Sequence, residues 1–554
     1  MAPAAVEIKS AHPRPTSNFH PSVWGDFFLT LVPHSDEVVK SWNEEIEVLK
    51  SHVKKALLSS PVAKTAERLH LIDAIERLGT GYHFEEEIEQ VLGQIYQDLQ
   101  IRDDEDLVTV ALRFRLLRQH GYNVSSDVFD KFKRGGEFKK ELVNDGEGML
   151  NLYEAAYLRT RGESILDEAI EFTKTHLISA MVSAAAELGS PVFAELVARA
   201  LKRPLRKVVE SCEHLSFISV YEKFEGHDPK LVKLAKLNFN VLQNMYQTEL
   251  RILTEWWMDL DTPNKLSYAR DKLVESYFWA IGPMWEPKYS LARQFFTKTT
   301  QIGTLLDDTY DVHGTIDDLE LFTNAIVRWD TSKKDKKDYM IILLEAISAF
   351  YDEIEAVTCK EGRVWCLDDG KRAVANVARL YLAEERWVDK GCVPTLEEYR
   401  EVSSLSTCYE WMVYSALCAM GASVSQHVFQ WLFSKPTMLI ATTDLCRLMD
   451  DVADSKVKQG RENFATSVEC YMKQYDVSRQ EAVEGLNRII EEDWMIMHEE
   501  LLNPPSGVPR ELLVMLFRLA QVMDTIYKDF DGYTYSSTAT NDMLVALLVT
   551  PLVV

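Results

Sequence analysis

The chain has 554 residues, 46% of them hydrophobic and 27% charged, a globular composition on a chain too long for one core. Its formal charge of -25, from 61 basic and 86 acidic residues, argues against a general nucleic-acid or anionic-membrane binder. An acidic protein still takes an anionic substrate where metal ions invert the local field.

The first ten residues, Met1 to Ser10, lack an apolar signal core and the Arg/Ser-rich pattern of a transit peptide, so the expected address is the cytosol. Residues 1 to about 20 carry several Pro and read as an unstructured arm. Beyond them apolar residues recur at three- and four-residue steps, as in residues 107–118 and 170–178. Alternating strand patterns are nearly absent, and the predicted fold class is all-α, without a fixed-period repeat. The turn Glu225-Gly-His-Asp-Pro229 predicts a boundary between an N-terminal domain, residues 1–230, and a C-terminal domain, residues 231–554. The apolar runs at 411–422 and 543–554 are too short or interrupted to cross a bilayer. Eight cysteines, without a C-x-x-C pair, read as reduced and mostly buried thiols.

The second domain holds the residues that suit chemistry. Arg270-Asp271-Lys272 brings two cations together, either an ordinary surface pair or a grip for diphosphate oxygens. Tyr277-Phe278-Trp279 reads as core or as an aromatic wall able to stabilise a cation. The apolar run Ile302 to Leu306 predicts a buried helix leading into Asp307-Asp308-Thr309-Tyr310-Asp311, with Asp307 and Asp311 on one face and Asp308 one step round. Carboxylates this close raise each other's pKa unless a cation sits between them, and oxygen-only ligands suit Mg2+. Other Asp pairs, Asp103-Asp104, Asp317-Asp318 and Asp368-Asp369, read as solvated helix starts.

Downstream, Arg447, Asp450, Asp454 and Lys458 recur at three- and four-residue steps beside Asp451, either a surface salt-bridge ladder or a second metal cluster. Near the C-terminus, Asp529, Asp531, Gly532 and Tyr533 read as a solvated turn or as a mobile lid. There is no phosphate-binding glycine loop, zinc helix, nucleophile elbow or Asp-x-Asp-Asp acid motif.

In this order, Arg14-Pro15 before Trp24, Arg113 to Tyr122, Arg270-x-Lys272, Asp307-Asp-x-x-Asp311, Arg447-x-x-Asp450-Asp451 and Asp531-Gly-Tyr533 resemble a plant sesquiterpene synthase, over essentially the whole chain. The second aspartate-rich cluster is closest to the δ-cadinene synthase type. The resemblance implies an α-barrel-like N-terminal domain without its own active site. It also implies a C-terminal α-bundle that ionises and cyclises farnesyl diphosphate with three Mg2+ ions, Mn2+ being a possible substitute. By the same resemblance Asp307 and Asp311, with Asp308 beside them, bind two ions, and Asp450 and Asp454, with Asp451 beside them, bind the third. Arg270, Lys272 and Arg447 hold the diphosphate, Trp279 lines the pocket, Asp531 and Tyr533 sit on a closing loop, and the Arg14-Pro15 arm folds over the mouth.

Two motifs depart from the family pattern: in one, Asp454 and Lys458 replace its Ser or Thr and its Glu, and in the other Lys272 replaces the second Arg. A protonated Lys458 cannot ligate Mg2+, which leaves the third ion fewer ligands or a reliance on Asp451. A monomer acting on an isoprenyl diphosphate is expected. The rival readings are a geranyl diphosphate enzyme, a chain-elongating prenyltransferase and a non-catalytic helical scaffold.

Overall fold

The computed structural model describes residues 19, 21–59, 65–98, 105–186, 191–421, 424–457, 465–536 and 538–554. Arg14-Pro15, Asp103-Asp104 and Lys458 lie outside the described residues. The fold is all-α, as the periodicity predicts, and the segments read as helical fall within Leu107–Gln119 and Ser164–Ala186. Among the described residues the β-structure is one hairpin of two-residue strands, Lys133–Arg134 with Glu137–Phe138. Gly135 and Gly136 at its tip take φ of 63° and 92°, the left-handed backbone that a two-residue hairpin turn needs. No described helix is long and apolar enough to cross a membrane.

Two large cores are stitched together by one helix, α1 (Pro229–Leu260). Asp228 caps it by accepting the Lys230 N–H at 2.9 Å, and Pro229 occupies its first turn, where a missing N–H costs nothing. Its first half gives Leu231, Leu234, Ala235 and Leu237 to the core of the N-terminal helices. Its second half gives Leu242, Tyr246, Leu250, Leu253 and Trp257 to the larger core of the C-terminal helices. Apolar residues on both faces are what a helix buried along its length requires.

Next come α2 (Leu273–Ile281) and α3 (Ser290–Asp308), which pack on each other and on α1. A buried ionic knot joins the three. Arg293 of α3, with no exposed surface, donates from Nη2 and Nε to Glu249 of α1 at 2.6 and 2.9 Å. Tyr277 of α2 donates to the same carboxylate at 2.8 Å. Arg293 Nη1 donates to the carbonyls of Met284 and Glu286, so the fork is fully engaged. α3 is rich in threonines, and Thr297, Thr299, Thr300 and Thr304 each return a hydroxyl to the carbonyl four residues back, at 2.7 to 3.0 Å.

Polar contacts clasp the two halves. Arg203 reaches Asp524 at 2.6 Å, Arg161 reaches Glu499 at 2.6 Å, and Arg159 reaches Glu491 at 2.9 Å. Buried His498 donates Nδ1–H to the Arg159 carbonyl and accepts Arg206 Nε–H on Nε2. Burial, with Arg206 beside it, holds its pKa well below the usual histidine range, so it bridges as a neutral ring.

Breaking the knot at one partner strands a buried charge. Glu249→Gln is expected to lower stability by about 3–5 kcal/mol, seen as an earlier urea midpoint. An unchanged midpoint would show that the charge of Glu249 is not needed there.

Candidate active site

The apolar helix predicted before Asp307 is α3, but it does not carry the motif through as a regular α-helix. After Asp308 the backbone widens into one π turn, Thr309–His313. Asp307 and Asp311 are therefore set by a wider turn than the predicted α-helical face, and such turns are frequent at functional sites. Tyr268 pins it from outside: its hydroxyl bonds Thr309 Oγ1 at 2.8 Å and its ring stacks on His313 at 3.9 Å.

Arg270 binds both members of the Asp pair. Its backbone N–H donates to Asp308 Oδ2 at 2.7 Å, its Nε reaches Asp308 Oδ1 at 2.9 Å, and Nη2 donates to Asp307 Oδ2 at 2.6 Å. Asp308 is buried at 2% exposure and faces the Arg270 loop. Asp307 and Asp311 are half-buried. Burial pushes the Asp311 carboxyl well above the carboxylate range, and Asp307, Glu385 and Glu384 push it further. That is the environment of a group that ionises readily only with a cation present.

The second cluster lies on α5 (Thr437–Val457), packed on the irregular stretch 400–408, with Glu384 of α4 (Cys366–Asp389) near enough to act on Arg447. This stretch runs from a π turn through a 3-10 turn to Cys408 in left-handed backbone. Arg447 donates Nε–H to the Ser403 carbonyl at 3.0 Å and Nη2–H to Ser406 Oγ at 3.2 Å, while Nη1 lies 3.8 Å from Asp450. Asp451 is buried and accepts the Tyr399 hydroxyl and the Ser467 N–H, both at 2.9 Å. Asp450, Asp454 and Asp531 each bring a carboxylate oxygen within 4.8 Å of the others.

Asp531 is thus drawn in from the C-terminal segment after α6 (Arg510–Tyr527). It is buried, whereas Asp529, read with it as one turn, is exposed. Tyr533 bonds Ser276 at 3.1 Å and Thr304 at 2.7 Å through its hydroxyl, and burial pushes its pKa up to about 12. Arg270 Nη1 donates to Thr534 at 2.9 Å, and Lys272, itself buried, donates to Ser536 at 3.1 Å. Both cations of the Arg270-x-Lys272 motif therefore hold this loop. Phe19 lies 5.3 Å from the Arg270 guanidinium, so the end of the N-terminal arm rests beside the first cluster.

Between the clusters stand aromatic rings. Trp279 donates Nε1–H to Tyr409 at 2.7 Å, and its ring lies 5.4 Å from Tyr533 and 5.7 Å from Tyr527. Tyr381 packs on Tyr310 at 5.5 Å. Glu384 is close enough to feel Asp307 and Arg447 together, and burial raises its carboxyl pKa. Sequence reading missed Glu384, Glu385, Tyr381, Tyr399 and Tyr527. A usable signal was present for Glu385, which continues the apolar ridge Val374, Ala378 and Tyr381 and is 4% exposed. By contrast, the first Asp of the pairs 317-318 and 368-369 is exposed in a helix's first turn, as predicted for surface acids.

Comparison with known proteins places this arrangement. Residues 23–201 match the family described as "Terpene synthase, N-terminal domain", and residues 258–496 match "Terpene synthase family, metal binding domain". The chain is 46% identical over 552 residues to "Probable terpene synthase 3" of Ricinus communis, covering 99% of each. It is 40% identical over 558 residues to "(+)-delta-cadinene synthase isozyme A" of Gossypium arboreum, covering 99% of each. Its fold superposes with a TM-score of 0.86, at 30% identity, on isoprene synthase from grey poplar, solved with three Mg2+ ions and dimethylallyl-S-thiolodiphosphate, covering 96% of this chain and 99% of that one. Two matching domains and full-length relatives agree with the order of motifs in the sequence: the chain belongs to the terpene synthase family.

Proposed function

We propose that this protein is a Mg2+-dependent sesquiterpene synthase that ionises farnesyl diphosphate, cyclises the chain to a cadinane-type product and releases diphosphate. The observation that carries this reading is the pair of carboxylate groups, Asp307 with Asp311 and Asp450 with Asp454, each accompanied by an arginine and separated by Trp279, Tyr409, Tyr527 and Tyr533. All donors are oxygens, which suits a hard divalent ion, and three carboxylate oxygens within 4.8 Å of one another are close enough for one ion to bridge. When bound, such ions stabilise charge building on the departing diphosphate. The delta-cadinene synthase relative supports the C15 substrate and the cadinane product, and the isoprene synthase neighbour, with its three ions, supports the metal count.

In this reading Asp307 and Asp311 hold two ions and Asp450 and Asp454 the third. Asp308 and Asp451, also counted in the metal motifs, act through the groups they bind: Asp308 orients Arg270, and Asp451 fixes α5 against Tyr399 and Ser467. The carbon–oxygen bond of the substrate breaks heterolytically and its electron pair leaves with the diphosphate. Arg270 releases Asp307 and, with Arg447, donates N–H bonds to that group. The loop of residues 531–536, held by Arg270, Lys272 and Tyr533, keeps water from the allylic cation. Aromatic faces of Trp279 and Tyr533 stabilise positive charge on the folded chain until a proton is lost. Residues 1–230 serve as frame and residues 231–554 carry the chemistry, in a cytosolic monomer.

Incubation with farnesyl diphosphate and Mg2+ is expected to yield C15 hydrocarbons or alcohols by gas chromatography and mass spectrometry, and EDTA to abolish them. Products from geranyl diphosphate alone would overturn the substrate assignment, and silence with both would overturn the enzyme reading. Asp307→Ala is expected to lower kcat/KM by about a thousandfold or more with helicity and melting unchanged; normal turnover would remove Asp307 from the metal site. For Arg270→Lys, which keeps the charge but loses the fork, a loss of about a hundredfold is expected in the same assay. Wild-type kinetics there would show that the planar geometry of Arg270 is not used.

A further inference from the structure

Resting on the reading above, we propose that Asp531 is a third protein ligand of the ion held by Asp450 and Asp454, taking the place of the motif Glu that this chain replaces with Lys458. Three observations converge. A carboxylate oxygen of Asp531 lies within 4.8 Å of one from Asp450 and one from Asp454, the separation that a single cation bridges. Asp531 is only 7% exposed, and a carboxylate in such a place needs charge or hydrogen-bond partners. Its Oδ1 accepts the N–H groups of Tyr533 at 3.0 Å and Thr534 at 2.9 Å, while Oδ2 accepts no hydrogen bond among the described residues. One oxygen fixes the turn and the other is left for a ligand.

The alternative donor on α5 does not converge with Asp450, Asp454 and Asp531. Asp451 is 4% exposed, its Oδ2 accepts the Tyr399 hydroxyl and the Ser467 N–H, and its carboxylate is not in the group whose oxygens lie within 4.8 Å of one another. Lys458 offers an ammonium, which repels a divalent ion. The position of Asp531 is in turn fixed by its neighbour. A Cβ on Gly532 would stand 3.1 Å from the Ile526 carbonyl and from Thr540 Oγ1, so this glycine lets the segment fold back on the end of α6. The Gly532 N–H donates to the Ile526 carbonyl at 3.0 Å. Since the same segment is held by Arg270 through Thr534 and by Lys272 through Ser536, binding of the third ion also seats the loop.

The test counts ions directly, using Mn2+ with inorganic diphosphate on the full chain, by electron paramagnetic resonance and calorimetry. Wild type is expected to bind three Mn2+. Asp531→Asn retains an oxygen for the turn and removes the charge; it is expected to keep two ions with wild-type affinity and bind the third about tenfold or more weakly. Asp454→Asn is expected to weaken that same ion, and Lys458→Glu placed in the Asp531→Asn chain to restore it. Three ions at wild-type affinity in Asp531→Asn would overturn the assignment and leave the proposed function standing, as would loss of all three together from a chain that still melts normally. Failure of the wild type itself to bind Mn2+ with diphosphate would overturn both.

Discussion

Like charge packed into a poorly solvated cleft is the constraint around which this molecule is arranged. Two carboxylates about 5 Å apart repel by about 3 kcal/mol at the effective dielectric of a protein site, and the second cluster brings three of them within 4.8 Å of one another. That repulsion opposes the fold, so the surrounding helices must hold the cluster open from outside. The Arg293–Glu249–Tyr277 knot, far from solvent, locks three of these helices. The first cluster is eased by Arg270, the second by Arg447, and the remaining repulsion is what gives such a site its appetite for divalent cations.

The two aspartate pairs solve this in the same way. In each pair one member faces the cleft and its sequence neighbour is buried in the frame: Asp308 under the backbone N–H of Arg270, Asp451 under Tyr399 and Ser467. Consecutive residues on a helix point about 100° apart, so a doubled aspartate supplies a ligand and an anchor from one turn. The anchors are as costly to bury as the ligands, and their hydrogen bonds hold them in the frame. Both motifs therefore couple chemistry to packing within two residues.

Much of the architecture was legible before any coordinates. The all-α class followed from helical spacing, and the buried stretch before Asp307 marked that motif apart from Asp317-Asp318 and Asp368-Asp369. The local backbone was not legible. A π turn is an insertion in hydrogen-bond register, and Thr309 to His313 has no residue that announces it. The stretch 400–408 was equally silent, since its serines serve Arg447 through one carbonyl and one hydroxyl. Glu384 and Glu385 were passed over because an acidic pair followed by Arg386 looks like any solvated helix face. Asp531 read equally well as a solvated turn, because its distance from Asp450 in sequence hides a contact that only tertiary packing creates.

The resting place of Phe19 has a practical side. Its ring lies against Arg270, beside the first aspartate cluster. The opposite end is tied elsewhere, where Leu552 exchanges two 2.8 Å hydrogen bonds with Asn240 in the middle of α1. A fluorescent label placed at Phe19 would therefore report on the cleft, while one placed at Leu552 would report on the seam between the two cores.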